Sequence, residues 1–405
     1  LYTKGINIDW QEYDKPYLHQ KVLLPTYPFQ RERYWIKDVN AHNVSIDKWF
    51  YDIKWQKKNT IASPVDRLTG TWLTVGLPAD AIATLNGGNP DCDFIHIKWH
   101  NEFKEYQRGN YQFGVSPEDK QSLSTLIDSI NSDIDGVIYL GSVVSSKQEE
   151  SPIRSSGDIS SAGLLHLTQA LVESKLSSRL VLLTENSVPF GNEASYLRLS
   201  GSLASGMLKT INIEHPQFNA VHIDVDSLSN DNLEKALKVL VSHTSSSDKI
   251  REDQLVFRSR EYYVPRMVSK VVPKSKKITF DSEFSYLITG GLGGLGLACC
   301  EWMVKHGANN IILVSRRAIN EEVQTKLDHW RESDVTIDVL AQDISTIAAW
   351  RAIKDHVNAT GSRLAGVFHL AGILDDALLM NLEWSQFEKS YQAKVSGLLA
   401  FERVF

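Results

Sequence analysis

The chain has 405 residues, 42% of them hydrophobic and 23% charged, with a formal net charge of −6 at pH 7. That length exceeds what one hydrophobic core organises, and the composition is that of an ordinary globular protein, so two or more domains are expected and overall disorder is excluded. The acidic balance argues against nucleic acid or an anionic membrane surface as a partner, because neither attracts such a chain as a whole.

Residues 1–40 carry little periodicity but many aromatic and proline anchors, as in VLLPTYPFQRERYW from Val22 to Trp35. Pro25 and Pro28 hold their predecessors extended, so Tyr27, Phe29, Tyr34 and Trp35 are expected to lie along a neighbouring domain and the segment reads as a linker. From Trp49 the pattern becomes alternating strands and helices. TWLTVG (Thr71–Gly76), FIHIKW (Phe94–Trp99), GVIYLG (Gly136–Gly141) and RLVLLT (Arg179–Thr184) are apolar enough to be buried on both faces, as parallel strands are. Helical stretches such as SLSTLIDSI from Ser122 separate them, which is the signature of βαβ units. Asn219–Val225 predicts a further strand, and QLVFRSREYYVPR (Gln254–Arg266) a hairpin turning at Ser259 and Arg260. This first domain spans 44–270. KVVPKSKK (Lys270–Lys277) then marks a solvated connector, 271–280, before a second domain over 281–405.

In the second domain SYLIT (Ser285–Thr289), IILVS (Ile311–Ser315), TIDVLA (Thr336–Ala341) and GVFHL (Gly366–Leu370) read as strands, with helices between them and a last helix running to the C-terminus. The two domains repeat one another. TWLTVG resembles SYLITG at an offset of 214 residues, GVIYLG resembles GVFHLAG at 230, and GLLHLTQAL from Gly163 resembles GLLAFERVF from Gly397 at 234. Ordered matches at a near-constant spacing favour duplication over chance likeness between apolar segments. The fold class expected is α/β, two tandem Rossmann-like doubly wound parallel sheets. Copy one continues from Gly76 as LPADA, without clustered glycines and with Pro78 in the turn, so it is expected to be degenerate and cofactor-free. Copy one also runs through further strands after GLLHLTQAL, so copy two is expected to be truncated at its C-terminus.

The chemistry lies in TGGLGGLG, Thr289–Gly296, directly after a buried strand and at the start of a helix. Glycines there let the backbone turn tightly and approach a pyrophosphate, whose charge sits against unpaired amides and the positive end of the helix. A glycine-rich turn can be purely structural; the strand–turn–helix context favours a dinucleotide. The next strand ends in VSRR, with Ser315, Arg316 and Arg317 where an acidic residue would grip a ribose 2′-hydroxyl; arginines suit a 2′-phosphate instead, favouring NADPH over NADH. Asp343, in AQDIS, is placed to accept from the adenine amino group, with a helix cap as the plain alternative.

Residues 289–405 resemble the catalytic half of a ketoreductase from a modular polyketide synthase, a short-chain dehydrogenase relative. Residues 44–270 resemble that enzyme's structural half, and LPTYPFQRERYW is similar to the linker following the acyltransferase in such synthases. The resemblance implies a cofactor site built from Thr289, Gly290, Gly291, Leu292, Gly293, Gly294, Leu295, Gly296, Ser315, Arg316, Arg317, Asp343, Ile344, His369, Ala371 and Gly372, the last three from HLAGILDD. Leu374, Asp375 and Asp376 match the motif that accompanies B-type stereocontrol and so imply a 3R hydroxyl. AKVSG (Ala393–Gly397) makes Lys394 the catalytic lysine, whose ammonium would lower the pKa of a catalytic tyrosine; a lysine on a helix is otherwise merely solvated. The implied reaction is NADPH-dependent reduction of a β-keto group on a phosphopantetheine-tethered chain of an acyl carrier protein, beside an acyltransferase and other synthase domains.

The family's serine, tyrosine and asparagine follow AKVSG, and eleven residues remain after Lys394, so the chain reads as a fragment that does not turn over. Tyr391 precedes Lys394 by three residues rather than four, and Tyr17 with Lys21 lies in the linker; neither fits the role. The chain starts at Leu1 with neither an initiator Met nor a signal-peptide pattern, which fits the same reading as a fragment, and Cys92, Cys299 and Cys300 give no disulfide framework, so a reduced cytoplasmic setting is expected. No zinc motif and no apolar run of about 18 residues occurs, so neither a metal nor a membrane partner is expected. A non-catalytic scaffold domain of a synthase and a stand-alone dehydrogenase of small metabolites are the other readings.

Overall fold

The structure is a computed structural model that describes residues 9–17, 49–58, 67–100, 104–107, 112–130, 133–141, 156–191, 197–229, 232–233, 235–236, 252–271 and 278–405. The chain divides into two compact units, Leu1–Trp49 and Phe50–Phe405. In the first, Trp10–Asp14 forms a short helix, α1, with Trp10 edge-on to Tyr13 at 6.0 Å between centroids. The aromatic segment Val22–Trp35, Lys21, and Val272–Lys277 of the connector lie outside the described residues.

The second unit holds two sheets. The first contains β1 (Tyr51–Lys58), β2 (Gly70–Val75), β3 (Cys92–Trp99), β4 (Lys104–Gln107), β5 (Gln112–Val115), β6 (Gly136–Leu140), β7 (Arg179–Glu185), β8 (Val221–Val225), β9 (Gln254–Arg258) and β10 (Glu261–Ser269). Their order is β1-β10-β9-β8-β7-β6-β2-β3-β5-β4. Strands β5-β3-β2-β6-β7-β8 are all parallel, and numbered along the chain they run 3-2-1-4-5-6, the doubly wound order of a dinucleotide fold. Period-two alternation divides their side chains between two cores: Trp72, Ile138, Leu140, Val181 and Leu183 on one face, Leu73, Val75, Val137, Tyr139, Leu180 and Leu182 on the other. Helix α2 (Ala79–Gly88) covers the first face; α3 (Lys120–Ser129), α4 (Ser156–Glu173) and α5 (Ser200–Glu214) cover the second. Each aliphatic side chain so buried is worth about 1.5–3 kcal/mol of transfer free energy.

The sheet is wider than the parallel core that sequence predicts. Strand β4 adds antiparallel to β5 at one end; β10 and β1 add antiparallel at the other, with Tyr51 opposite Ser269 and Lys58 opposite Tyr262. YDIKWQKK in β1 alternates with too many charges to read as a buried strand, which is what an edge position permits. The β9–β10 hairpin turns where expected: Ser259 and Arg260 have φ of +51° and +68°, the left-handed pair of a two-residue turn.

The second sheet has four parallel strands, β11 (Phe284–Thr289), β12 (Asn310–Ser315), β13 (Thr336–Ala341) and β14 (Arg363–His369), in the order β13-β12-β11-β14. Numbered along the chain this is 3-2-1-4, so β11, β12, β13 and β14 correspond to β2, β3, β5 and β6. Helices α6 (Gly294–Lys305), α7 (Glu321–Arg331) and α8 (Ile347–Ala359) connect them; α9 (Trp384–Tyr391), a π-helical turn (Gln392–Ser396) and α10 (Gly397–Val404) follow. Again the side chains alternate, Tyr286, Ile288, Ile311 and Leu313 to one core and Leu287, Ile312 and Val314 to the other. The three sequence matches fall on equivalent elements, β2 with β11, β6 with β14 and α4 with α10, so the repeat read from sequence is also a repeat of topology.

Candidate functional site

Strand β11 ends at the fully buried Thr289, whose hydroxyl organises the turn above it. Its Oγ1 accepts from Leu370 N at 3.1 Å and Ala371 N at 3.2 Å and lies 3.0 Å from His369 Nδ1. His369 Nε2 is 3.0 Å from the carbonyl of Lys394, which can only accept, so Nε2 carries the proton and the threonine hydroxyl donates to Nδ1. One imidazole thus ties β11, the end of β14 and the π-helical turn together.

The glycines after Thr289 have separate duties. Gly290 has φ +67°, and a side chain there would meet Ala371 N and Leu370 O at 2.9 Å, so it admits neither a Cβ nor an ordinary backbone. A Cβ on Gly291 would stand 2.8 Å from Leu313 Cβ, and one on Gly296 would strike Gly290 O and come within 2.7 Å of Gly291 Cα. These three pack β11, β12 and α6 together. Gly294 differs, for a Cβ there would meet nothing within 4 Å. No protein contact requires that glycine, and it sits in the first turn of α6, where Gly293 is the N-cap and no side chain caps the helix. Leu292 is buried in the core beneath, and Leu295 is 69% exposed.

Over this turn lies a cavity of about 480 Å³ at the carboxyl ends of β11, β12 and β13. It is lined by Gly290, Gly293, Ser315, Arg316, Arg317, Asp343, Ile344, Ala371, Gly372 and Leu374 of the sequence-predicted set. Arg317 N donates to Ser315 Oγ at 3.1 Å, and Arg316 Nη1 is 3.7 Å from Asp343 Oδ2, both side chains being about half exposed. Asp343 Oδ1 also accepts from Ser345 N at 3.1 Å, while the cap of α8 is Thr346, which accepts from Ala349 N; the helix-cap alternative for Asp343 therefore passes to Thr346.

The remaining predicted residues stand around the cavity. Of the rest of the turn, Thr289 and Leu292 are buried beneath it, Gly291 and Gly296 are packed against backbone, Gly294 faces open space, and Leu295 is exposed; none of these six lines the cavity itself. Lys394, exposed in the π-helical turn, has its Cε 3.3 Å from where a Cβ of Gly372 would be. Such turns are unusual and widen a helix at one point. Asp375 Oδ1 accepts from Gln386 Nε2 at 2.9 Å and Oδ2 lies 3.2 Å from Lys389 Nζ; these two donors hold its carboxyl below the usual carboxylate range. Asp376 is exposed.

Sequence reading missed Gln342, Ile373, Lys389 and Gln392, which also line the cavity: Gln342 and Ile373 stand inside the quoted AQDIS and HLAGILDD segments without a role assigned to them, and Lys389 and Gln392 belong to no motif. It missed Gly397 too: a Cβ there would press on Ile344 Cδ1 at 3.1 Å and His369 Cε1 at 3.3 Å, so this glycine lets α10 close on the site.

The equivalent crevice of the first sheet is filled. Trp99, the last residue of β3, packs its indole at a tilt against Tyr139, 5.9 Å between centroids, and lies 3.1 Å from a Cβ built on Gly76. A Cβ on Gly163 of α4 would meet the same ring at 2.5 Å and the Tyr139 hydroxyl at 2.7 Å. The indole thus fills the gap between Gly76, Tyr139 and Gly163 at the carboxyl end of the first sheet.

The second crevice has the chemistry a dinucleotide needs: a helix start with no side-chain cap, a glycine turn beneath it, and two arginines lining the same cavity. Residues 285–405 match the family model described as KR domain, and residues 81–243 that described as beta-ketoacyl synthase-like, N-terminal. Among curated relatives, a 6-methylsalicylic acid synthase of Arthrobotrys oligospora is 30% identical over 60% of this chain and 14% of its own length. A pikromycin polyketide synthase component of Streptomyces venezuelae is 25% identical over 92% of this chain and 21% of its own. The chain therefore spans a small part of the curated relatives it matches. The fold superimposes on A-type ketoreductases from a modular polyketide synthase with a TM-score of 0.69 at 23% identity, covering 89% of this chain and 72% of theirs. It also superimposes on a keto acid-selecting NRPS module containing a ketoreductase, with a TM-score of 0.76 at 20% identity over 87% of this chain and 30% of that one.

Proposed function

Since the chain carries a KR domain over residues 285–405 and is a ketoreductase region of the polyketide synthase type, we propose that its open cavity binds NADPH for reduction of a β-ketoacyl thioester to a β-hydroxyl. The observation that carries this reading is the convergence, in one cavity, of the Gly290–Gly293 turn at an uncapped helix start with Arg316 and Arg317. The helix amides and the positive end of α6 would hold the pyrophosphate, and the two guanidinium groups the 2′-phosphate, with Arg316 drawn between that phosphate and Asp343. Bound NADPH supplies the hydride.

Residues 369–394 supply positioning and charge, and the proton comes from a phenolic donor that this reading requires beside Lys394. Ala371 and Gly372 present backbone without bulk on the nicotinamide side. Lys394, held against Gly372 by the His369 bridge, places an ammonium beside the reacting carbonyl, where it favours the anionic form of a proton-donating phenol and brings its pKa toward neutral pH. Leu374, 84% exposed at the mouth, and the loop carrying Asp375 and Asp376 would meet the acyl chain and set a B-type, 3R outcome. The substrate in this reading is tethered by phosphopantetheine to an acyl carrier protein, with an acyltransferase and other synthase domains as neighbours in a cytoplasmic protein. Among the described residues no helix is long and apolar enough to cross a membrane.

The scaffold reading is weaker on one specific ground, namely that the first sheet's crevice is plugged by Trp99 while the second is open. Titration with both nucleotides tests the proposal. NADPH should bind at least tenfold more tightly than NADH, and Arg316→Ala with Arg317→Ala should weaken NADPH roughly 10–100-fold, the worth of one or two charge-assisted hydrogen bonds, while leaving NADH little changed. Equal affinity for the two nucleotides in the unaltered chain would refute it.

A further inference from the structure

Between the cavity loop and α9 the chain makes a single 3-10 turn, Leu379–Asn381, and that turn belongs to the other half of the molecule. Leu379 is 1% exposed and sits in the core of the first sheet, among residues such as Leu165 and Leu208 of α4 and α5. Trp384 and Phe387 of α9 pack against the same core. The backbone of the turn is held as firmly as its side chain. Gln169, on α4 and 2% exposed, donates its two Nε2 hydrogens to Leu379 O at 2.8 Å and Leu382 O at 2.9 Å. Glu214, closing α5, accepts from Leu379 N at 2.7 Å.

The opposite end of this segment grips the cavity loop. Gln386 and Lys389 of α9 hold the two oxygens of Asp375, and Ser390 Oγ donates to Ile373 O at 3.2 Å. Helix α9 continues through the π-helical turn that carries Lys394. One rigid piece therefore links an anchorage in the first half to the loop and the lysine of the second.

We infer that Gln169 and Glu214, in the half without an open crevice, are positioning residues that fix the Ile373–Leu378 loop and α9 over the cavity. The inference rests on the reductase reading for the purpose of that loop, and on the hydrogen bonds alone for the anchorage. An amide buried with both donors spent on two carbonyls cannot be replaced by an apolar side chain without stranding those carbonyls. Neither residue touches the nucleotide side of the cavity, so anchorage and nucleotide binding are separable.

The test uses the whole chain. Gln169→Met keeps the length and apolar volume but donates nothing; Glu214→Ala removes the acceptor and Glu214→Gln restores it. Hydrogen exchange of the amides in 373–391 should quicken at least tenfold in Gln169→Met and Glu214→Ala and stay within threefold of wild type in Glu214→Gln, with strands β6–β8 unchanged in all three. The carboxyl of Asp375, followed by selective carbon-13 labelling, should titrate nearer the ordinary carboxylate range in the first two variants only. Exchange within twofold of wild type in both loosened variants overturns the inference, as does failure of Glu214→Gln to restore protection. Failure of the wild-type chain to bind NADPH would instead overturn the reductase reading, and is recorded separately.

Discussion

Gly294 and Gly296 stand two residues apart in the same turn, and packing requires glycine at the second but not at the first. In Gly296→Ala the new Cβ would strike Gly290 O and lie 2.7 Å from Gly291 Cα and 2.9 Å from Gly291 C, against 3.4 Å or more for an ordinary contact, so the start of α6 must move by at least about 0.7 Å. Backbone on both sides cannot step aside, and overpacking of this kind costs about 1–3 kcal/mol. A displacement of that size also exceeds the roughly 0.5 Å width of the N–H···O distance range, so amides aimed at a phosphate lose most of their grip. Charge-assisted hydrogen bonds are worth about 1.5–3 kcal/mol each, so losing one or two weakens NADPH by at least tenfold. In Gly294→Ala nothing in the protein is touched, and the lost backbone freedom of the unfolded chain should raise stability by about 0.4–1 kcal/mol. If the open space there is the phosphate seat, that methyl group still obstructs it. The expected pattern is a lower melting temperature with weaker NADPH binding for Gly296→Ala, and an unchanged or higher melting temperature with weaker binding for Gly294→Ala, by differential scanning fluorimetry and fluorescence titration. Unaltered NADPH affinity in Gly294→Ala would show that no phosphate sits above α6.

Two further outcomes concern the first half. Burial holds His222 unprotonated in the fold, with its pKa pushed down to about 4 from 6.5, so only the unfolded chain takes up its proton as pH falls through 6.5. The resulting loss of stability should reach roughly 2 kcal/mol by pH 5 and about 3 kcal/mol near pH 4, where it stops growing; desolvation shifts His96 and His166 the same way, and His222→Gln should flatten the slope of urea midpoints between pH 7.5 and 5. Arg258 Nη2 lies 2.5 Å from Oδ2 of the fully buried Asp224, so Arg258→Ala strands a carboxylate and should destabilise by about 3–5 kcal/mol in urea, whereas a loss below about 1 kcal/mol would contradict that pairing.

Much of this was legible in the sequence, for reasons that can be named. Strands such as VIYL and IILV are apolar on both faces because a parallel sheet buries both, and that pattern depends on no distant residue. The TGGLGGLG turn was legible because a glycine cluster between a buried strand and a helix is a local signal, even though Gly290 and Gly291 answer to two other strands, through Leu370 with Ala371 just past β14 and Leu313 in β12. What escaped was relational. Strand β1 is charged because it lies at an edge, and its partner β10 follows it by some 200 residues. Trp99 looks like any apolar strand end until α4 is seen to bring Gly163 against it. Gln169 and Leu379 are 210 residues apart, and neither sits in a motif that hints at the other. Lys389 and Gln342 reach the cavity only because α9 and the segment after β13 meet there.

The indole of Trp99 gives the molecule a built-in internal reference. Two sheets of matching strand order lie in one polypeptide, one with an indole packed at its carboxyl end and one with a cavity there, so the proposed function predicts one equivalent of nucleotide per chain, not two. It also marks where a second receptor could be carved. Trimming Trp99 to a small residue would hollow out the first sheet's crevice, and whatever small flat aromatic settled there would report on that sheet without disturbing its twin.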